Sequence, residues 1–535
     1  MKKKITAMIL AGTILLSMTS CSSGSDRSRK KHHRDRDRDR VEETTEETTE
    51  PAPTTAPTVT PVPASNITFR GDTDYTPVSD AEFIVPYTYG RTNNSSMNSW
   101  DTSFTYSIGF VDENGEAVCD PIFNVCYLLS GSNNYAVGMY DDNMELHYGL
   151  ISLDGTLYTG LRYDGVYEVP ARSHDDAGYI YLSNYDDGIM HVEYMDYELN
   201  TIIEDREIVI DESQFEYFDP SYDFVCERLY DADRAIVKLS EASYGTLGDY
   251  LIDTTTGEVL CSFTSWLRPI ITDTMIISSD PMEDIEIFDL DGNDITGDYV
   301  AAYSLSHDRI VLFTDSRVDV IDPEGNIMAT AELGDHYSTD VCCGNILIGT
   351  AEGIEIYDQD MNLITVSADH YLDYGLTVDD FYEFREENVI FNDYADDTYL
   401  YNLTTGGTTT LNPDYSYSGE CGYIVGDDQM FGDVAQHVFS VYDYDLNSIW
   451  AGGGEPFLTV DRIKGDVYLI AVDGDNTIIY RLTDSGAERL YDIQDAVNGY
   501  SAEFVNGMMF CTQGDTNYLY SADGEVVFSC IITDC

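Results

Sequence analysis

An all-β fold is predicted by three observations: a β-propeller of about seven to eight four-stranded blades, preceded by smaller β units. The first is a hairpin that recurs along the chain. From Ile354 to Ile364 the sequence reads Ile-Glu-Ile-Tyr-Asp-Gln-Asp-Met-Asn-Leu-Ile. Apolar and polar residues alternate on both sides of an Asp-x-Asp-x-Asn turn, the period-2 signature of paired strands. The motif returns at residues 439–447 and more loosely at 193–200, and with Gly in place of Asn at 112–115, 253–257, 289–292, 322–325 and 523–524. The second observation is spacing. Turns at Asp253, Asp289, Asp322, Asp358, Asn402, Asp443, Asp484 and Asp523 lie about 39 residues apart, close to the length of a four-stranded blade. The third is the lack of a helical period, since no stretch longer than one turn carries the i, i+3, i+4 apolar pattern. A load of 42 Tyr against 3 Trp suits sheet faces where a ring packs and its hydroxyl finds a partner.

Taken in order, residues 1–21 resemble a bacterial lipoprotein signal. Lys2, Lys3 and Lys4 precede an apolar run from Ile5 to Leu16, and Met18-Thr19-Ser20-Cys21 is similar to a lipobox. The resemblance implies lipidation of Cys21 and an address on the extracytoplasmic face of a bacterial cell membrane, with the membrane as partner through the lipid anchor. The apolar run is too short to span a hydrocarbon core of about 30 Å. Residues 22–65 are expected to be a disordered tether, basic from Arg27 to Arg40 and then Thr/Glu/Pro-rich, because neither composition can bury a core. Arg70-Gly71-Asp72 matches a short adhesion tripeptide that occurs easily by chance.

Charge sets limits on partners. Of the 27 Lys and Arg, 11 lie before residue 41 and 16 after it, while 94 of the 98 Asp and Glu lie after it. A field of that sign excludes nucleic acid, which is bound by displacing its counterions with Lys and Arg. Self-repulsion at this density favours bound cations or a salty milieu; no cofactor is assigned, and calcium is the one candidate cation. Apart from Cys21, ten cysteines are scattered without a C-x-x-C pair, which argues against a zinc site. Cys119–Cys126 and Cys511–Cys530 are the disulfides nearest in sequence, and burial as small hydrophobes is the alternative.

Residues 66–205 contain Tyr106-Ser-Ile-Gly-Phe-Val-Asp-Glu-Asn-Gly, a following Pro121-Ile122-Phe123, and Tyr148-Gly-Leu-Ile-Ser-Leu-Asp-Gly155. These segments resemble the WG-type repeats of bacterial surface proteins, although Trp is missing before Gly109 and Gly149; the resemblance implies a repeat fold and no particular chemistry. In residues 206–535 each unit reads as strand, short polar loop, strand, Asp turn, strand. The expected ring of blades closes on this C-terminal part, and in general form it resembles quinoprotein-like and YVTN-like bacterial propellers without their diagnostic motifs.

No nucleophile elbow, P-loop, His-Glu-x-x-His or dinucleotide fingerprint occurs. The seven histidines after residue 40 are not at metal-ligand spacing. An EF-hand loop needs Gly at its sixth position and Glu at its twelfth; from Asp289 these are Asp294 and Val300, and from Asp358 they are Leu363 and Asp369. The turn Asp is instead expected to cap its own turn, with Asn or Gly as the left-handed residue. The loops between second and third strands gather acids at one end of the blades. Candidate metal ligands there are Asp396, Asp397, Asp473 and Asp475, and candidate binding residues are Asp280, Asp284, Asp315, Arg317, Glu352 and Asp515. The function expected is a non-enzymatic, surface-anchored binding or scaffold protein for a wall polymer, a glycan or an exported protein. The rivals are an extracellular polysaccharide hydrolase or lyase with a carboxylate site in the propeller channel, and an accessory subunit of a membrane complex.

Overall fold

The computed structural model describes Thr58–Val59 and residues 69–93, 104–169, 178–215, 224–367 and 381–534, the last two with short interruptions. Eleven antiparallel sheets follow one another in chain order among these residues. Three lie within residues 84–209 and eight within 224–531, so the all-β propeller architecture read from the turns is present. In the sixth sheet Ala301–Ser306, Arg309–Phe313, Arg317–Ile321 and Ile327–Glu332 pair in sequence order. Its two middle strands are buried on both faces: Val311, Phe313, Val318 and Val320 pack on one side, and Ile310, Leu312 and Ile321 on the other. They therefore read as near-continuous apolar runs, while the fourth strand alternates.

The Asp turns join third and fourth strands, and their geometry explains their recurrence. In the turn from Asp358, one carboxylate oxygen accepts the backbone N–H of Asp360 at 2.9 Å and of Asn362 at 2.8 Å, and the other accepts the Asn362 amide at 2.9 Å. Asp322 with Asn326 and Asp289 with Asn293 repeat the arrangement. The left-handed residue is not the Asn, as expected, but the one before it: Leu199 at φ 61°, Met361 at 61°, Leu446 at 62°. Asn is selected for its side-chain amide, and the carboxylate bonds hold a non-glycine residue in a conformation that costs it about 1 kcal/mol. In the glycine turns the same position is Gly115, Gly292 and Gly325. Gly109 and Gly149 of the WG-like segments have a separate cause. A Cβ on Gly109 would come within 2.6 Å of the Cys119 carbonyl, and one on Gly149 would collide with that of Gly160.

Among the described residues, neighbouring sheets share apolar layers, save the seventh and eighth, which meet through a strand contact. Ile84, Phe110 and Phe123 of the first sheet pack on Tyr135, Val137 and Ile151 of the second. Tyr181, Val192 and Ile208 of the third pack on Ala235, Val237 and Ile252 of the fourth, so the core continues across residue 205. His336–Cys342 of the seventh sheet touches Phe381–Arg385 of the eighth. The eleventh sheet packs on the first: Val505, Leu519, Phe528 and Cys530 share a layer with Phe83, Val85, Tyr87 and Val111. Thr533–Asp534 then adds to the first sheet in parallel, opposite Gly90 and Arg91, and the Asn517 amide donates to the Thr88 carbonyl at 2.8 Å. The closing contact thus runs to the N-terminal units rather than ending within residues 206–535. Those units are sheets of the same kind and carry one side of the seam.

The tether also differs from expectation at one place. Thr58–Val59 pairs in parallel with Asp492 and Ile493 on the outer edge of the tenth sheet. Thr58-Val59-Thr60 is a β-branched triplet between Pro57 and Pro61, which have no N–H to extend the pairing. Residues 1–57, Cys21 included, lie outside the described residues. Cys119, Cys126, Cys261, Cys421, Cys511 and Cys530 are free thiols. Burial pushes the Cys119 thiol up to about 12 and that of Cys530 to about 11, so these two behave as small core hydrophobes.

Candidate binding site at the closing seam

The end of the ring where first strands turn into second strands holds a cavity of about 580 Å³ at the seam. Residues from three sheets line it. Leu128, Ser130 and Asn133 come from the second sheet, Thr459 to Gly465 from the tenth, and Glu503 and Phe504 from the eleventh. The loop of the tenth sheet lies between strands Glu455–Val460 and Val467–Asp473.

Asp461 fixes that loop. Only 1 % exposed, its carboxylate accepts the backbone N–H groups of Ile463 at 2.9 Å, Lys464 at 2.7 Å, Asn506 at 3.1 Å and Gly507 at 2.5 Å. The four bonds tie the tenth sheet's loop to the first turn of the eleventh. Arg462 follows, its side chain 7 % exposed. Its guanidinium pairs with Glu503 and donates to the Tyr135 hydroxyl at 2.9 Å. Tyr135 in turn donates to the Ile84 carbonyl at 2.9 Å. The backbone N–H of Arg462 donates to the Phe504 carbonyl at 3.0 Å, and its own carbonyl accepts from the Asn133 amide at 3.2 Å. One side chain thereby connects four consecutive sheets across the seam. Phe504 is held from behind by Tyr468, the rings stacked 3.9 Å apart.

Lys464 is exposed on the rim and donates to the Asn506 carbonyl at 2.8 Å. The cavity therefore has apolar walls from Leu128, Val460, Ile463 and Phe504, neutral polar groups at Ser130 and Asn133, and two cations. Both of its carboxylates are engaged, Asp461 by backbone N–H groups and Glu503 by Arg462. Chemically, such a lining can hold a ligand, and both acids already accept hydrogen bonds from within the protein.

Among the described residues, those singled out from the sequence are not brought together. Asp280, Asp284, Glu352, Asp396, Asp397 and Asp475 lie outside the described residues, as does the side chain of Asp473. Asp315 is exposed in the sixth sheet and Asp515 in the eleventh. Asp515 faces Arg91 at 3.2 Å and so belongs to the seam. The Arg317 Nε donates at 2.8 Å to Asp319, which is 1 % exposed and also accepts the Tyr299 hydroxyl at 2.9 Å and that of Thr330 at 2.6 Å. Its charge serves a buried carboxylate within its own sheet. The adhesion-like tripeptide is likewise occupied, because the backbone N–H groups of Arg70, Gly71 and Asp72 all donate to Asp120. Among the described residues Asp141, Glu145 and His147 bring ligand atoms within 4.8 Å of one another, but Asp141 is the capping acid of its own turn, accepting from Asn143 and Glu145.

Sequence reading missed Arg462, Glu503 and Tyr135 because three different sheets supply them. One signal was present. Two of the 16 basic residues after residue 40 stand two positions apart, at 462 and 464.

No protein-family model and no curated protein matches the chain. Among solved structures it is similar to a crystal structure of the eukaryotic initiation factor, 10 % identical, with 78 % of this chain and 96 % of that one covered at a TM-score of 0.35. For BamB from Moraxella catarrhalis the identity is 12 %, the coverage 68 % and 96 %, and the TM-score 0.24. For the WD40 domain of coronin from Toxoplasma gondii the values are 9 %, 54 % and 77 %, and 0.21. At these identities the likenesses concern fold alone.

Proposed function

We propose that this chain is a non-enzymatic binding or scaffold protein, lipid-anchored at Cys21 on the outer side of a bacterial membrane. Its ligand in this reading is a wall polymer, a glycan or an exported protein. The observation that carries the binding part is the state of the seam cavity's acids. A glycosidase needs one free carboxyl to protonate the leaving group and another to act as base or nucleophile. Here Asp461 is consumed by four backbone N–H groups and Glu503 by a guanidinium, while donors and apolar walls remain. The address rests on the sequence from Lys2 to Cys21.

Two experiments test the proposal. Full-length chain is screened against glycan arrays and cell-wall fractions, with release of reducing ends followed in parallel; binding without turnover is expected. Turnover that disappears in Glu503→Gln would replace the reading with a hydrolase. Cys21→Ala should release the protein from membranes or leave it unprocessed, and a variant that stays membrane-bound with normal processing would remove the anchor.

A further inference from the structure

We infer that the seam cavity is an anion site, and that it takes a carboxylate or phosphate carried on a polyhydroxyl body such as an acidic sugar. The inference deepens the binding role proposed above and rests on it.

The first ground is the scarcity of positive charge. The chain has a formal net charge of −71, and its arginines are generally spoken for. Arg91 faces Asp515, Arg162 faces Glu193, Arg234 faces Asp253 and Arg481 faces Glu488. Lys464 differs. Its ammonium bonds the carbonyl of Asn506, and no carboxylate pairs with it among the described residues. Keeping its ammonium from pairing with Asp461 or Glu503, which line the same cavity, takes structure.

That structure is visible. The Asp461 bonds hold the loop from Ile463 to Lys464 and the turn at Asn506 and Gly507 in one fixed relation. Gly507, at φ 84°, leaves the space the ammonium occupies, since a Cβ there would lie 2.8 Å from Nζ. Lys464 is thus a preorganised cation at the mouth of a cavity. Arg462 lies deeper, and among the described residues two of its five N–H donors have partners, the Glu503 carboxylate and the Tyr135 hydroxyl. An entering anion would meet the lysine at the rim. The ring of a sugar would then lie against Ile463, Val460 and Phe504, with Asn133 and Ser130 available to its hydroxyls.

Physics adds an unusual signature. Contact charges act at a few ångströms, whereas the repulsion from the remaining acids acts at long range. Salt screens the distant charges first, with a Debye length of about 30 Å at 0.01 M and about 10 Å at 0.1 M. For an anionic ligand the affinity should therefore rise with salt over that interval, opposite to the usual loss when a ligand meets an oppositely charged protein. A neutral sugar should show no such trend.

The test titrates full-length protein with glucuronate, glucose 6-phosphate and glucose by calorimetry at about 10 mM and about 100 mM sodium chloride. Expected are binding of one or both anions, tighter at the higher salt, and weaker or no binding of glucose. Loss of one charge-assisted contact in Lys464→Gln should cost about tenfold or more in affinity, with an unchanged melting temperature showing that the fold is intact. Carboxylate and phosphate sources are told apart by which of the two anions binds. Glucose binding as tightly as either anion, no binding of either anion, or equal affinity in Lys464→Gln would overturn the anion site. If Lys464→Gln still binds the cell-wall fraction as wild type does, the anion site falls while the binding role stands; if wild type binds neither wall fraction nor sugar, the binding role falls too.

Discussion

At the scale of single residues, the turns carry a contrast between chemistry and conformation. Met144 adopts φ 67° where sister turns have Gly115 at 77° and Gly325 at 81°. Its side chain is 61 % exposed, so little packing would be lost with it. Left-handed backbone costs a non-glycine residue about 1–2 kcal/mol, and glycine loses about 0.5–1 kcal/mol more entropy on folding. The first effect is larger. Met144→Gly is therefore expected to stabilise the protein by about 0.5–1 kcal/mol in denaturant unfolding; destabilisation would mean that the carboxylate bonds already remove the strain. Sequence made the capping Asp legible, because its spacing to Asn or Gly recurs. It did not show which residue would be left-handed, since both Asn and the residue before it fit the count and only the direction of the Asn amide decides.

At the scale of the element, those turns should make the sheets sensitive to acid. Asp289 and Asp322 are held below the ordinary value of 3.8, first by the side-chain amides of Asn293 and Asn326 and then by backbone N–H groups. A carboxyl whose folded pKa is depressed contributes stability that is fully present above its unfolded value and is lost as pH falls through the folded one. The melting-temperature difference between wild type and the double variant Asn293→Ala, Asn326→Ala should therefore be complete well above the ordinary value of 3.8 and shrink progressively as the pH falls below it. A difference that does not change with pH would assign the asparagines a role in turn geometry alone. The eight turn-bearing sheets after residue 206 were readable in sequence for the same local reason: each hairpin writes its strand, turn and strand within about twenty residues.

At the scale of the whole molecule, what sequence could not supply is the seam. Thr533 pairs beside Gly90, Asn517 bonds the Thr88 carbonyl, and Arg462 reaches Tyr135. Such partners are separated by more than 300 residues, and no periodicity links them. The seam's layer includes Leu519, Phe528 and Cys530, so deleting residues 517–535 removes three of the four buried residues on its eleventh-sheet side together with the closing strand. The deletion is expected to abolish the main cooperative melting transition rather than subtract one sheet from it. In an open array, repeats contact only their neighbours and the remainder would keep its transition. Calorimetry of the truncated chain distinguishes the two, and a retained transition would mean that the contact between the eleventh and first sheets is not needed for closure.

The pairing of Thr58–Val59 with the tenth sheet has a mechanical consequence. A pull on the chain from its N-terminal side reaches residue 58 before it reaches the strand Ile84–Asn93, which lies in the first sheet beside the closing strand. The load passes into the outer edge of the tenth sheet before it reaches the contacts of Arg70, Gly71 and Asp72 with Asp120. Two residues of pairing, bounded by prolines, form a weak link. Under rising force that link should let go first, lengthening the leash and relieving the tension while the joint that closes the ring remains unloaded.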